Sequence, residues 1–288
     1  MRERGSGRTN ARKARQSDDG EGAGDGAPAA VRAVRYRATV EYDGTDFAGF
    51  QAQQPGVRTV QGALETALAH LSGGVRHPVD GAGRTDAGVH ALGQVIAFSY
   101  AGRLSAAELA EALNGLLPPD VAVRDIRRAA RAFHPRYAAR YREYRYTVWD
   151  GPRSPLRERT ALQLRHPLDV AAMGRAATAF EGRHDFSAFG GADPQPIRTV
   201  HRVRIRREGH LVTIDVRADA FLRGMVRRMV AALLAAGAGK IDETAVAAAL
   251  AARRPALGGA AAPARGLCLR RVVLGRRTGR SYGEDEER

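Results

Sequence analysis

The chain has 288 residues, 44% of them hydrophobic, and a formal net charge of +15 from 46 basic and 31 acidic side chains. Its single cysteine, Cys268, excludes an internal disulfide and cysteine-based zinc sites, and its histidines lack the short spacings that bind metals, so no metal site is predicted. The charged N-terminus has no apolar secretory segment and the longest mainly apolar run, Met229 to Gly239, is too short for a bilayer, which predicts a cytoplasmic protein without a membrane segment.

The first half of the chain reads strand, helix, strand, strand, helix, strand. Residues 1–33 carry almost no large apolar side chains and are predicted to be disordered. Hydrophobic periodicity and capping residues predict the elements that follow: a strand Val34–Tyr42, a helix Thr59–Leu71 capped by Thr59, a short strand near Val75–Val79, a strand Gln94–Tyr100, a helix Ser105–Leu117 capped by Ser105, and a strand Val121–Ala129.

The second half repeats that order without repeating the sequence. The predicted elements are a strand Ala138–Trp149, a helix Leu168–Phe180, a hairpin of Thr199–Arg206 and His210–Arg217, helices Phe221–Gly237 and Glu243–Ala252, and a closing strand Gly266–Leu274. We therefore expect an α+β protein of two ferredoxin-like (βαββαβ) halves with antiparallel sheets, residues 34–133 and 134–275, followed by a disordered tail, 276–288.

The polar loop Gly81–His90 carries one carboxylate, Asp86, two residues after Arg84. Such a carboxylate is a candidate nucleophile or general base, although an aspartate that caps its own turn gives the same pattern. The loop is not a dinucleotide site, because Asp86 replaces the third glycine of GxGxxG and a strand pattern follows instead of a helix. No phosphate-binding GxxxxGK[ST] sequence occurs either.

Two further stretches combine arginine with apolar or aromatic side chains. In the strand Arg140–Tyr146, alternate residues place arginines and tyrosines on one face, which suits stacking on bases and pairing with phosphates; a half-buried strand with snorkelling arginines fits equally well. In the predicted helix from Phe221, Arg223 and Arg227 border an apolar arc and could hold a carboxylate ionised.

The charge excess lies in the part of the chain that is predicted to fold. The terminal segments 1–33 and 275–288 hold 11 basic and 9 acidic residues, which leaves a net +13 between them. A polyanionic partner is the physical expectation, and the preponderance of arginine over two lysines suits nucleic acid. A composition bias toward arginine and alanine would give the same count without a partner.

Taken together, these stretches resemble the tRNA pseudouridine synthase A family over roughly residues 34–275. The matching segments, in the family's order, are Glu41–Gly44, Phe47–Gln51, Arg58–Gly62, Gly83–His90, Arg142–Tyr146, His184–Ser187, Phe221–Arg228 and Gly266–Leu267. Two positions depart from the family pattern: Phe50 stands where tryptophan is usual, and Cys268 stands where an aromatic residue is common. Neither change falls on a residue with a chemical role.

The resemblance implies conversion of uridine to pseudouridine at positions 38 to 40 of the tRNA anticodon stem-loop, without a metal or nucleotide cofactor. Asp86 would be the nucleophile and Arg227 would pair with it. Tyr144 would lie against the target base, and Arg84 would assist in flipping the uridine out of the stem. The family further implies a homodimer and a basic cleft between the two halves.

Two other functions remain open from the residues alone. One is a basic RNA-binding protein without catalysis, in which Asp86 only caps a turn. The other is a metal-dependent nuclease, which requires a cluster of carboxylates, whereas Asp86 has only Asp80 nearby in sequence.

Overall fold

The computed structural model describes residues 32–253 and 260–275. Its strands are β1 (Val34–Tyr42), β2 (Asp80–Gly81), β3 (His90–Tyr100), β4 (Val121–Arg128), β5 (Ala139–Trp149), β6 (Leu162–Gln163), β7 (Gly182–Asp185), β8 (Ile197–Glu208), β9 (Leu211–Ala218) and β10 (Leu267–Leu274). Its α-helices are α1 (Val60–Leu71), α2 (Ala106–Leu116), α3 (Pro135–Ala138), α4 (Val170–Thr178), α5 (Met225–Gly237) and α6 (Glu243–Ala252). Three short 3-10 helices cover Pro155–Arg157, Ser187–Phe189 and Ala264–Gly266.

The strands form one ten-stranded sheet with the order β4-β1-β3-β10-β5-β9-β8-β7, with β2 paired to β3 and β6 paired to β5. The pairings are antiparallel except β3 with β10 and β5 with β6. The mixed α+β class with a mostly antiparallel sheet is therefore confirmed. The two halves of the sheet join through only two parallel residue pairs, Cys268 with His90 and Leu269 with Ala91.

Most of the predicted elements occur close to their predicted bounds. β1 and α6 match at both ends, and the two predicted N-caps are present: the Thr59 hydroxyl accepts from Gly62 N, and Ser105 forms a capping box with Glu108. In the predicted hairpin, β8 extends two residues further at each end, whereas β9 keeps the predicted length and is shifted by one residue. The segments predicted to be disordered lie outside the described residues, apart from Arg32 and Ala33, which precede β1 without regular structure.

The prediction of a short strand near Val75–Val79 was wrong. Only Asp80 and Gly81 pair with a neighbour, opposite Ala97 and Ile96 of β3. Pro78 has no N–H to donate to a ladder, so regular pairing cannot extend back through it.

The helix predicted from Phe221 begins four residues later, at Met225. Gly224 has a φ of +68°, in the left-handed region, and precedes the helix as its N-cap. Because this conformation interrupts a right-handed helix, Phe221 and Arg223 lie in a turn instead of on the predicted helical arc.

The helices and the sheet share one hydrophobic core, and alternation along the strands determines which side chains enter it. Tyr144 and Tyr146 of β5 are buried in this core, together with residues of α1, α2 and α5. The intervening Glu143 and Arg145 project from the opposite face, where Glu143 pairs with Arg217 and Arg271. Burial works to raise the pKa of Glu143, but the two arginines outweigh it and lower that pKa. Among the described helices, none is long and apolar enough to cross a membrane.

Candidate active site

The loop that carries Asp86 is held by backbone hydrogen bonds on both sides. Phe50 N donates to Thr85 O at 3.1 Å, and Gly88 N donates to Phe47 O at 3.2 Å. Within the loop, Val89 N donates to Asp86 O at 3.2 Å. These bonds tie the loop to the segment after β1, so its backbone has a defined position before any ligand binds.

Buried side chains hold the same loop from below. The Thr85 hydroxyl and the Tyr42 hydroxyl lie 2.8 Å apart, and Gln94 Nε2 donates to Gly83 O at 2.8 Å. Thr85, Tyr42 and Gln94 are all buried, whereas Asp86 is half-buried. Alternation along the loop thus sends Thr85 into the core and leaves the Asp86 carboxylate facing outward.

Packing and backbone conformation explain two of the glycines in this loop. A Cβ on Gly81 would lie 2.5 Å from the Phe50 ring, and Gly88 has a φ of +75°. Gly83 has ordinary room, since its nearest neighbour would be Arg142 Nε at 3.7 Å. At Gly81 and Gly88 the requirement for glycine therefore comes from packing and backbone conformation, independently of any ligand.

Arg227 of α5 reaches the Asp86 carboxylate from the other half of the sheet. Its Nη1 lies 3.4 Å from Asp86 Oδ2, and both side chains are partly exposed. Arg227 is itself positioned, because its Nε donates to Ala262 O at 2.7 Å while Ala262 N donates to Arg227 O at 3.0 Å. Arg228 instead donates to the carbonyl of Arg223.

Tyr144 projects from β5 toward the same space. Its ring meets Phe221 edge to face, with centroids 5.2 Å apart. Burial raises the pKa of the Tyr144 hydroxyl to about 12; the charge of Arg142 acts in the opposite direction, and that of Asp86 adds to the increase. The hydroxyl is therefore protonated at neutral pH and can donate a hydrogen bond.

These residues meet in an open cleft with a volume of about 810 Å³. Asp86, Tyr144, Arg227 and Arg84 all line it, so all four predicted site residues share one cavity. Arg84 is exposed, and no hydrogen bond or ion pair holds its side chain within the described part of the chain. The cleft therefore combines a carboxylate, a neutral phenol and an exposed cation, which suits nucleophilic attack or proton transfer on a planar ligand.

No group of three or more histidine, cysteine, aspartate or glutamate side chains lies close enough to hold a metal ion within residues 32–253 and 260–275. Asp80, the acidic neighbour of Asp86 in sequence, pairs with Arg35.

Arg142 is the residue whose role sequence reasoning missed. The sequence left open whether its strand faces nucleic acid or is half-buried with snorkelling arginines. Arg142 is buried and donates to three backbone carbonyls: Ala82 O, Arg136 O and Asp219 O, at 2.5, 3.0 and 2.7 Å. Those carbonyls belong to three segments that wall the cleft. The strict alternation of β5 places Arg142 on the buried face with Tyr144, and this was the signal that could have identified it.

His90, at the end of the loop, is a second residue that was not singled out. Gly44 N donates to His90 Nδ1 at 3.1 Å, the Asp43 carboxylate lies 3.1 Å from the same nitrogen, and Nε2 donates to Arg265 O at 3.1 Å. The imidazole thus joins the segment after β1 to the segment before β10. It holds the two halves together near the site.

Comparison with known proteins identifies the family of this chain. A sequence model of the tRNA pseudouridine synthase family matches residues 38–138 and 176–273. The chain therefore belongs to the tRNA pseudouridine synthase family, and the predicted enzyme class, an isomerase, is confirmed.

Among its relatives are two proteins named tRNA pseudouridine synthase A. The one from Moorella thermoacetica is 44% identical over 243 residues, 82% of this chain and 98% of the relative. The one from Halalkalibacterium halodurans is 42% identical over 237 residues, 81% of this chain and 90% of the relative. A solved archaeal box H/ACA sRNP Nop10–Cbf5 complex aligns with 82% of this chain and 57% of that chain at 12% identity, and its TM-score of 0.30 carries no structural argument.

Replacing Arg142 with lysine should loosen the cleft walls. A single ammonium cannot donate in three fixed directions as a guanidinium does, and each buried carbonyl left without a donor costs about 1–3 kcal/mol. We expect Arg142→Lys to lower the free energy of unfolding, measured by chemical denaturation, and to lower the reaction rate of the protein that remains folded. Arg140→Lys, on the exposed start of the same strand, is the control and should change neither quantity. Wild-type stability in Arg142→Lys would contradict the bridging role.

Proposed function

We propose that this protein converts uridine to pseudouridine at positions 38 to 40 of the tRNA anticodon stem-loop, with Asp86 as the nucleophile. The observation that carries the proposal is the half-buried Asp86 carboxylate, which faces a cleft together with Tyr144 and with Arg227 at 3.4 Å. The names of its relatives support tRNA as the substrate.

The reaction rearranges the substrate without net gain or loss of atoms. The N1–C1′ bond breaks, a C5–C1′ bond forms, and overall a proton leaves C5 while N1 gains one. Attack of Asp86 at C1′, addition at C6 and elimination to a glycal all satisfy this balance. Each route needs an ionised carboxylate next to the junction of sugar and base, and Asp86 is the acidic side chain that the cleft presents beside Arg227 and Tyr144.

The other side chains of the cleft take supporting roles. Arg227 keeps Asp86 charged and oriented through their ion pair. Tyr144 offers the target base an aromatic ring and a protonated hydroxyl, because its pKa is raised to about 12. Arg84, exposed at the cleft, assists in flipping the uridine out of the stem.

The proposed architecture is a pair of ferredoxin-like halves, 34–133 and 134–275, with the basic cleft between them. The strand orders β4-β1-β3-β2 and β10-β5-β9-β8 support it, since each repeats one arrangement within one half of the sheet. We further propose a homodimer, which rests on the family resemblance alone, and a cytoplasmic location, which rests on the single cysteine and its fit to a reducing compartment. A net charge of +13 between the terminal segments supports binding to the phosphates of tRNA.

Asp86→Asn should abolish pseudouridine formation and leave tRNA affinity within a few-fold of wild type. The amide keeps the size of the side chain but is not a nucleophile. Chemical mapping of pseudouridine in tRNA transcripts measures the first quantity and filter binding measures the second. Asp125→Asn, in the exposed part of β4, is the matched control and should react normally. Activity in purified Asp86→Asn protein would end the nucleophile assignment, and a wild-type protein that binds tRNA without modifying it would favour a non-catalytic RNA-binding protein.

Arg227→Ala should lower the single-turnover rate about 100-fold or more, because the carboxylate loses its charged partner and its orientation. Arg228→Ala is a closely matched control: the neighbouring arginine of the same helix donates to a backbone carbonyl and is not bonded to Asp86. Equal rates in the two variants would show that the ion pair has no part in the reaction.

Tyr144→Phe separates the ring from its hydroxyl. We expect little change in tRNA affinity and a fall of about 100-fold in the single-turnover rate, as is typical when a proton-transfer group is lost. Because the Tyr144 hydroxyl is protonated below a pKa of about 12, the wild-type rate should not decline between pH 8 and 10 on its account. An unchanged rate in Tyr144→Phe would restrict the residue to stacking.

A further inference from the structure

An exposed aromatic side chain stands in the wall of the cleft that the proposed chemistry does not use. Tyr137 is 57% exposed, and it lines the same cavity as Asp86. Its ring lies against the imidazole of His134, with centroids 4.7 Å apart and planes inclined at 43°. An exposed tyrosine ring in the wall of a cleft offers a ligand a flat, largely apolar surface and a hydroxyl group.

The segment that carries Tyr137 is held in place from within the protein. The side chain of His134 caps the short helix α3, since His134 Nδ1 accepts from Arg136 N at 3.2 Å. One nitrogen of Arg142, Nη2, donates both to Arg136 O and to Ala82 O, at 3.0 and 2.5 Å. Tyr137 follows Arg136 directly, and Ala82 begins the loop that carries Asp86. The guanidinium of Arg142 therefore bonds to both backbone segments, the one that carries the Tyr137 ring and the one that carries the Asp86 carboxylate.

Three exposed arginines share the cleft with this aromatic side chain. Arg84, Arg136 and Arg223 are exposed and line the same cleft. A rigid ring beside several guanidinium groups is the combination that binds unpaired nucleotides, because the ring stacks on a base while the cations pair with phosphates. A protein or lipid partner would require a wide apolar surface, whereas three exposed arginines line this cleft.

We propose that Tyr137, backed by His134, stacks on one of the two bases that flank the target uridine in the substrate RNA. Flipping the uridine removes one stacking partner from each flanking base, and the Tyr137 ring replaces that partner. Tyr137 is thus a positioning residue that stabilises the opened RNA, and it takes no part in bond making. The inference rests on the proposed function, from which the substrate is taken.

The test uses an anticodon stem-loop RNA in which 2-aminopurine replaces the base on the 5′ side or the 3′ side of the target uridine. Binding is measured in full-length protein carrying Asp86→Asn, so that chemistry does not follow. We expect one of the two labelled RNAs to lose fluorescence on binding, because an aromatic ring quenches a stacked 2-aminopurine. Adding Tyr137→Phe should preserve both the quench and the dissociation constant.

Adding Tyr137→Ala or Tyr137→Leu should remove the quench and raise the dissociation constant about 5- to 100-fold, the range measured when one stacked aromatic is lost. Leucine keeps an apolar side chain, so it distinguishes stacking from simple contact. Leu156→Ala, at an exposed site outside the cleft, is the control and should match the parent protein. Thermal unfolding of each variant verifies that the fold is retained.

The inference is overturned if Tyr137→Ala leaves the quench and the dissociation constant of the Asp86→Asn parent unchanged. It is also overturned if the parent protein quenches neither labelled RNA. The proposed function is assessed separately, by pseudouridine formation in the unlabelled stem-loop with otherwise wild-type protein. If that RNA is modified while Tyr137→Ala behaves as the parent, the stacking role alone fails. If no pseudouridine forms in stem-loop or full tRNA, the proposed function fails whatever the binding results.

Discussion

The cleft depends on one buried cation. Moving a guanidinium out of water is costly unless its donors are satisfied, and Arg142 meets that requirement with carbonyls from three separate segments. The same hydrogen bonds supply acceptors for the Arg142 guanidinium and donors for the three carbonyls. As a result the Asp86 loop, the segment of Tyr137 and the turn before α5 are held by bonds to one side chain.

Hydrogen bonds to the backbone of its loop also explain why the Asp86 carboxylate is available for chemistry. The carbonyls of Gly83, Thr85 and Asp86 itself accept bonds from Gln94, Phe50 and Val89. These three carbonyls are thus satisfied within the protein, and the Asp86 carboxylate makes a long contact to Arg227, at 3.4 Å. A carboxylate held in this way is pre-organised toward the cleft, so little reorganisation is needed when a substrate arrives.

Local signals predicted most of the helices and strands because those signals are physically local. The caps at Thr59 and Ser105 bond to amides within three residues, and the alternation of β1 reflects which face of one strand is buried. The errors came where a single residue overrides a pattern. Pro78 stopped the predicted strand before β2, and the left-handed Gly224 moved the start of α5 past an apolar run that looked helical.

The sequence by itself determined the family, because the segments that match it are contiguous and their order survives without coordinates. It also pointed to Asp86, Tyr144, Arg227 and Arg84 as candidates. Only the tertiary structure could decide that Asp86 and Arg227, 141 residues apart, lie within 3.4 Å of each other, or that Arg142 is a buried bridge while Tyr137 is exposed. Contacts between distant segments depend on how the two halves of the sheet join, at β3 and β10. No pattern within one segment encodes that junction.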